Sequence, residues 1–185
     1  VTRKADAVSL VSTAATEGGS DELSTTGELL VVAKKSVKVD DGLRVASTGA
    51  DTGDSRRYVI KGDGATLLLS NLSKTELSVT NVSATPSGDL EVGKAALPGS
   101  VQLSGNAVQL DATGNLSIDP NTRIPTGSLG LGTQRVAVGA SASDKLDANT
   151  LSISGELLGN INQSQRLQLR AYQGIDFYRD VTLGS

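Results

Sequence analysis

Apolar and polar residues alternate with a period of two along most of the chain. Short apolar–polar–apolar triplets recur between turn-forming Gly, Asn, Asp and Ser residues, and include Val37/Val39, Leu67/Leu69, Leu90/Val92, Val108/Leu110, Leu129/Leu131, Val136/Val138 and Leu167/Leu169. Alternation bounded by turn residues predicts short, half-buried β-strands. The spacing typical of an amphipathic helix is not sustained anywhere, so the sequence predicts an all-β chain.

The spacing of these strands predicts a β-solenoid. From Leu90 onward the strand starts fall at residues 90, 101, 108, 116, 129, 136 and 151. Two or three strands therefore span roughly 20 residues, and a repeat of that length with very short strands is typical of solenoids. We predict a parallel β-helix whose coils contain roughly 20 residues. A β-sandwich is the alternative, although sandwiches usually have longer strands and buried aromatic residues.

The pattern divides the chain into two regions. Residues 1–28 are rich in Ser, Thr, Gly and Asp and weakly patterned, which predicts an irregular leading coil. Residues 29–185 are predicted to form the β-helical shaft, with a protruding loop near residues 50–58, where small and charged residues interrupt the strand rhythm. Because the first residue is Val1 and the chain contains no Met, we expect a processed chain or an excised segment.

Composition restricts the core and the possible functions. Aromatic residues make up 2% of the 185 residues, so Leu, Val, Ile and Ala must fill the core as stacked aliphatic columns. The chain has no His or Cys, which excludes Ser-His-Asp and Cys-His catalysis and the usual zinc sites. A net charge of −3, with no run of basic residues longer than two, argues against nucleic-acid binding. No apolar window is long enough to span a membrane as a helix.

Other motifs have simple structural interpretations. Asp51-Thr52-Gly53 matches the aspartic-protease triplet, but a second copy is missing, so a turn is the better interpretation. Acidic groups such as Asp40-Asp41 could hold calcium, but no calcium-binding repeat or EF-hand spacing accompanies them, and solvated turns explain them better. A polysaccharide lyase would need a basic residue beside acidic ligands. Arg123, Arg135 and Arg166 are not grouped with carboxylates in the sequence, and we predict no catalytic residue, metal site or cofactor.

The most specific motif lies at the end of the chain, where three of the four aromatic rings occur. The stretch L-x-L-R-A-Y-x-x-I-D-F-Y-x-D-V-T-L-G resembles segments of filamentous-haemagglutinin-like exoproteins, the secreted partners of two-partner secretion systems in Gram-negative bacteria. The matching residues are Leu167, Leu169, Arg170, Tyr172, Ile175, Asp176, Phe177, Tyr178, Val181, Leu183 and Gly184. Residues 77–97 and 101–118 are similar in rhythm to the repeats of that family. Arg179 departs from the pattern, because a small residue is expected there.

The resemblance implies a right-handed parallel β-helix that is exported unfolded and folds at the bacterial cell surface. It further implies that the chain is an internal shaft segment of a secreted or surface-exposed exoprotein, used in adhesion or in presenting a toxin or receptor-binding tip. The expected partners are the rest of the exoprotein, an outer-membrane transporter during export, and a surface receptor or glycan on a host or neighbouring cell. Exposed coil ends can also stack end to end.

The residue pattern leaves two alternatives, a carbohydrate-binding or polysaccharide-lyase β-helix and a surface or fibre protein of the β-sandwich type. We predict that the protein is not an enzyme. Alternation places Ile175 and Phe177 on the core face of the last strand. Tyr172 and Tyr178 are then expected on the outer face or at a corner, and together with Arg170 they are the candidate binding residues.

Overall fold

The computed structural model describes residues 5–12, 20–94 and 100–183. Within these ranges the chain forms thirteen strands and one short helix. The elements are β1 (Ala5–Leu10), β2 (Asp21–Thr25), β3 (Leu29–Val39), β4 (Leu43–Ser47), β5 (Ser55–Lys61), β6 (Ala65–Ser70), β7 (Lys74–Thr80), β8 (Asp89–Val92), β9 (Gln102–Ala112), β10 (Leu116–Ile118), β11 (Thr126–Val138), β12 (Thr150–Ile153), α1 (Gly155–Ile161) and β13 (Arg166–Phe177).

Most strands belong to one mixed sheet of 11 strands. Its main path is β10-β8-β3-β6-β9-β11-β12, while β1 pairs with β3, β13 pairs with β11, and β4 joins β2 to β9. Every ladder in this sheet is parallel except the two that β6 makes with β3 and β9. Strands β5 and β7 form a separate parallel pair.

The prediction of a right-handed parallel β-helix is wrong, because β6 makes the sheet mixed. It runs antiparallel between two strands, with Leu68 beside Leu30 of β3 and Gln109 of β9. Every residue of β6 is buried, since both of its faces are covered. Leu68 packs with Ile60 and Leu77 of the β5–β7 pair in a small second cluster. An alternating pattern shows which residues are buried but not which way a strand runs, so the antiparallel insertion was not predicted.

The main core consists of aliphatic columns that run across the ladders. In one column, parallel register places Leu90 beside Val37 on one side and Leu116 on the other. In another, Leu131 lies between Leu110 and Leu169. Neighbouring residues in parallel strands point to the same side of the sheet, so in each column aliphatic side chains pack against aliphatic side chains. These columns explain how the chain fills its core with almost no aromatic residues.

Helix α1 was not predicted. It has only seven residues, and its buried side chains, Leu157 and Ile161, are four positions apart on one face. One apolar pair at this spacing is too short a pattern to separate a helix from the surrounding strands. In the described part of the chain, no helix is long and apolar enough to cross a bilayer.

The two irregular regions named from the sequence contain strands as well as turns. The first 28 residues include β1 and β2, which pair with β3 and β4. Of residues 50–58, the part from Ser55 onward belongs to β5. The turn predicted at Asp51-Thr52-Gly53 is confirmed, because the Gly53 N–H donates to Asp51 Oδ1 at 2.9 Å and Gly53 has a φ of 78°.

Candidate functional site

Two of the three candidate binding residues meet at a buried carboxylate. Arg170 and Tyr172 lie on β13, and both reach Asp111 of β9, whose side chain is 3% exposed. The Tyr172 hydroxyl lies 2.8 Å from both carboxylate oxygens, and Arg170 Nη1 is 3.4 Å from Oδ2. Arg170 also donates from Nη2 to the backbone oxygen of Leu77 at 2.8 Å. The three side chains therefore connect β13, β9 and β7.

The electrostatics of this cluster keep Tyr172 protonated. Burial of the ring raises the pKa of Tyr172, and the negative charge of Asp111 raises it further. The hydroxyl therefore remains a hydrogen-bond donor to the carboxylate. Arg170 supplies the compensating positive charge, as a buried carboxylate requires.

Glycine makes room for the Asp111 side chain. A Cβ atom at Gly132 of β11 would overlap Asp111 Oδ2, and one at Gly130 would overlap the Gln109 side chain. The cavity left in this region is only about 10 Å³, too small for an organic ligand. The Tyr172–Arg170–Asp111 cluster is thus an interior connection between strands, and these side chains do not form an open binding surface. Tyr172, which the sequence places on the outer face or at a corner, is half-buried and donates its hydroxyl to Asp111.

Tyr178 does not join that cluster. The residue is 39% exposed, and its backbone N–H donates to the Val138 oxygen at 3.0 Å. Arg179, which departs from the family pattern, donates to Gly139 O at 2.9 Å and to Asp144 Oδ2 at 2.8 Å. This hydrogen bond is the main reason why the pKa of Asp144 falls to about 2. Arg179 therefore ties the segment after β13 to the loop after β11.

A second interior carboxylate, that of Glu28, was not predicted from the sequence. The Glu28 side chain is 8% exposed and precedes β3. It accepts hydrogen bonds from Tyr58 at 2.6 Å, Arg56 at 2.9 Å, and Ser70 at 2.8 Å. Burial acts to raise the pKa of Glu28, but the hydroxyl donors and the Arg56 charge outweigh it, so the pKa is lowered. Nothing near Glu28 in the sequence indicates these partners, because they lie 28 to 42 positions away.

Exposed apolar side chains lie along the outer edge of β13. Within the described residues, β13 pairs only with β11, so its other edge is unpaired. Phe177 is 64% exposed and Ile175 is 39% exposed. They line a groove of about 440 Å³ together with Ile161, Asn162, Ser164, Gln165, Leu167, Leu169 and Leu183. The expectation that Ile175 and Phe177 are core residues is wrong, because both side chains are exposed. Their ladder partners on β11, Val136 and Val138, are fully buried.

Comparisons with known proteins identify no relative. No protein family matches the chain, and no curated protein or solved structure is similar to it at a significant level. The likeness of the terminal motif to filamentous-haemagglutinin-like exoproteins therefore stays a prediction from the sequence.

Proposed function

We propose that the chain is a structural, non-catalytic segment of a secreted or surface-exposed bacterial exoprotein, which serves adhesion or the presentation of a toxin or receptor-binding tip. The observation that carries this proposal is the unpaired, apolar edge of β13. An exposed strand edge with aliphatic and aromatic side chains is a template for pairing with another strand. The terminal motif quoted above supports the exoprotein class.

The direction of the strands supports continued stacking. Apart from β6, all strands of the large sheet share one sense, including β1 and β13. Strand β1 also has a single partner, β3, among the described residues. A further parallel strand can therefore be added beside β13 or beside β1 without reversing the ladder.

The occupant we propose for the β13 edge is a parallel strand with alternating apolar residues, supplied by a neighbouring part of the exoprotein. In a solution of this chain alone, β1 of a second copy takes that place. Such a contact is head to tail and does not close on itself, so it leads to open chains of copies. The groove beside Ile175 and Phe177 receives the apolar side chains of the added strand.

The interior polar groups support a structural role. Asp111 and Glu28 are held by strand residues and face no open cleft, which differs from the accessible pair of carboxylates that a glycosidase requires. Both clusters instead connect strands that are distant in sequence.

The test is the mass of the chain in solution, measured by sedimentation velocity over a range of concentrations. Self-association should grow with concentration, and Ile175→Lys should weaken it at least tenfold by placing a charge in the groove. Val59→Lys is the matched control, because Val59 has the same 39% exposure but lies on β5, outside the large sheet. A monomer at all concentrations, or equal loss in both variants, would contradict edge pairing. Cleavage of acidic polysaccharides, with or without calcium, would contradict the non-catalytic role.

A further inference from the structure

A polar cleft of about 720 Å³ lies where the turn after β3, the segments after β8 and β10, and α1 meet. Its lining is composed of charged and hydrogen-bonding residues with no aromatic ring: Asp41, Lys94, Ser100, Asp119, Asn121, Arg123, Glu156, Gly159, Asn160 and Gln163. The cleft is separate from the β13 groove and from the Asp111 cluster.

Asp41 in this cleft is buried, although the sequence predicted a solvated turn for Asp40-Asp41. The residue is 3% exposed, and its two carboxylate oxygens accept the backbone N–H of Lys94 at 2.9 and 3.0 Å. Each oxygen keeps a further lone pair for another ligand.

Asp119 is the second buried carboxylate of this cleft. It is 9% exposed, and its Oδ1 accepts the backbone N–H of Asn121 at 2.8 Å. Its Oδ2 is buried and has no hydrogen-bond partner in the described ranges. Burying a carboxylate oxygen without a hydrogen-bond partner costs free energy. A hydrogen-bond donor or a cation beside Oδ2 would therefore stabilise the protein.

Both aspartates lie close to Gly93. A Cβ atom on Gly93 would be 3.0 Å from Asp41 Oδ1 and 3.1 Å from Asp119 Cβ. The nearby Lys94 ammonium group lies 3.2 Å from Glu91. Among the residues that the structure describes, no ion pair joins Asp41 or Asp119 to a basic side chain. Lys94 and Arg123 line the same cleft, but neither forms an ion pair with these two buried carboxylates.

We propose that this cleft binds a divalent cation of the calcium type, with Asp41 and Asp119 as its carboxylate ligands. Calcium prefers oxygen ligands and accepts flexible geometry, and the chain contains no His or Cys to favour a softer metal. In the described ranges, no group of three or more acidic, His or Cys side chains could hold a metal ion. Water and neutral oxygens must complete the coordination, and the cleft has room for a partly hydrated ion.

Such an open site with two carboxylates should bind weakly, with a dissociation constant on the order of 10⁻⁴ to 10⁻³ M, as in extracellular calcium modules. This inference does not rest on the proposed structural role, because the cleft and the β13 groove share no lining residue. A bound ion would connect the turn after β3 to the segment after β10.

The experiment measures the thermal unfolding of the intact chain after a chelator has removed bound metal ions. The Tm in 10 mM CaCl₂ is compared with the Tm in NaCl of equal ionic strength. Calcium at about ten times the dissociation constant should raise Tm by roughly 2–5 °C. Asp119→Asn should abolish that rise, while Asp54→Asn, a change at an exposed acidic residue, should keep it. Isothermal titration should find one calcium ion per chain, and none in Asp119→Asn.

A second measurement separates a lost site from a damaged fold. Without calcium, Asp119→Asn should be at least as stable as the parent chain, because it removes one of two repelling buried charges. The proposal would be overturned if calcium did not raise the Tm of the parent chain, or if it raised the Tm of Asp119→Asn and Asp54→Asn equally. A Tm that rises with glucosamine but not with calcium would also overturn the proposal, since the cleft would then bind an organic ammonium group.

Discussion

Val138 and Phe177 are partners in the β11–β13 ladder, yet Val138 is fully buried and Phe177 is 64% exposed. Partners in a parallel ladder point to the same side of the sheet, so both side chains face the core side. Val138 has a neighbour on each side, because it also pairs with Ile153 of β12. Phe177 has a neighbour on one side only. The difference in burial thus comes from the position of β13 at the edge of the sheet.

This relationship predicts that the smaller side chain contributes more to stability than the larger one. Val138→Ala should lower the free energy of unfolding by about 1.5–3 kcal/mol, because it removes buried aliphatic surface. Phe177→Ala should change it by less than about 1 kcal/mol. Urea unfolding followed by circular dichroism, at concentrations where the chain is monomeric, measures both values. A larger loss for Phe177→Ala would show that the aromatic ring is covered in solution.

The sequence was informative about which side chains form the columns and uninformative about how the strands are joined. Alternation correctly paired residues such as Leu129 and Leu131 with the core, because burial on one face imposes a period of two. It could not show that β6 is antiparallel, since a buried strand has the same pattern in either direction. Both faces of β6 are covered, and the β5–β7 pair that covers one of them is formed by the strands immediately before and after β6 in the sequence. The alternation of apolar and polar residues does not show that these two strands pair with each other and pack on β6.

The sequence named two members of the Asp111 cluster, as candidates for binding a partner. Arg170 and Tyr172 were chosen because rings and guanidinium groups are common in binding surfaces, and the structure does bring these two together. Their partner Asp111 is 59 to 61 positions away, and nothing in its sequence context marks it as buried. Long-range contacts of this kind decide whether a polar side chain faces solvent or the interior.

The two tyrosines near the end of the chain, which the sequence treated alike, should respond differently to loss of the hydroxyl. Tyr172→Phe should destabilise the protein by about 1–3 kcal/mol, because it leaves the Asp111 carboxylate with fewer donors in a buried position. Tyr178→Phe should have an effect of less than about 0.5 kcal/mol, since the residue is 39% exposed. Denaturant unfolding of the two variants is the measurement, and equal losses would argue against the interior role of Tyr172.

Two glycine substitutions should have opposite effects. Gly132→Ala should destabilise the protein by about 1–3 kcal/mol, because the new methyl group would overlap the Asp111 carboxylate. Gly159→Ala in α1 meets no atom within 4 Å and should stabilise the protein by up to about 1 kcal/mol. Thermal unfolding reports both changes. Combining Gly132→Ala with Asp111→Ala should cost less than the sum of the two single changes if the overlap is the cause.

Glu28 should make part of the stability depend on pH. The carboxylate is buried, but its hydroxyl donors and Arg56 keep its pKa below the ordinary value. A lowered pKa in the folded state means that the contribution is complete above the unfolded pKa, about 4.3, and is lost as the pH falls through the folded pKa. Glu28→Gln should therefore cost about 1–3 kcal/mol at pH 7, and this difference should shrink steadily below about pH 4.3.

The control for Glu28 is Glu76, whose side chain is 56% exposed and lies 3.9 Å from Arg57. Glu76→Gln should change the free energy of unfolding by less than about 0.5 kcal/mol at pH 7, because exposed ion pairs contribute little. Urea unfolding of the parent and both variants between pH 7 and pH 3 gives the comparison. If the Glu28→Gln difference stayed constant over that range, the carboxylate charge would not be the source of the stability. The packing of the Glu28 side chain against β5 and β6 would then explain the loss.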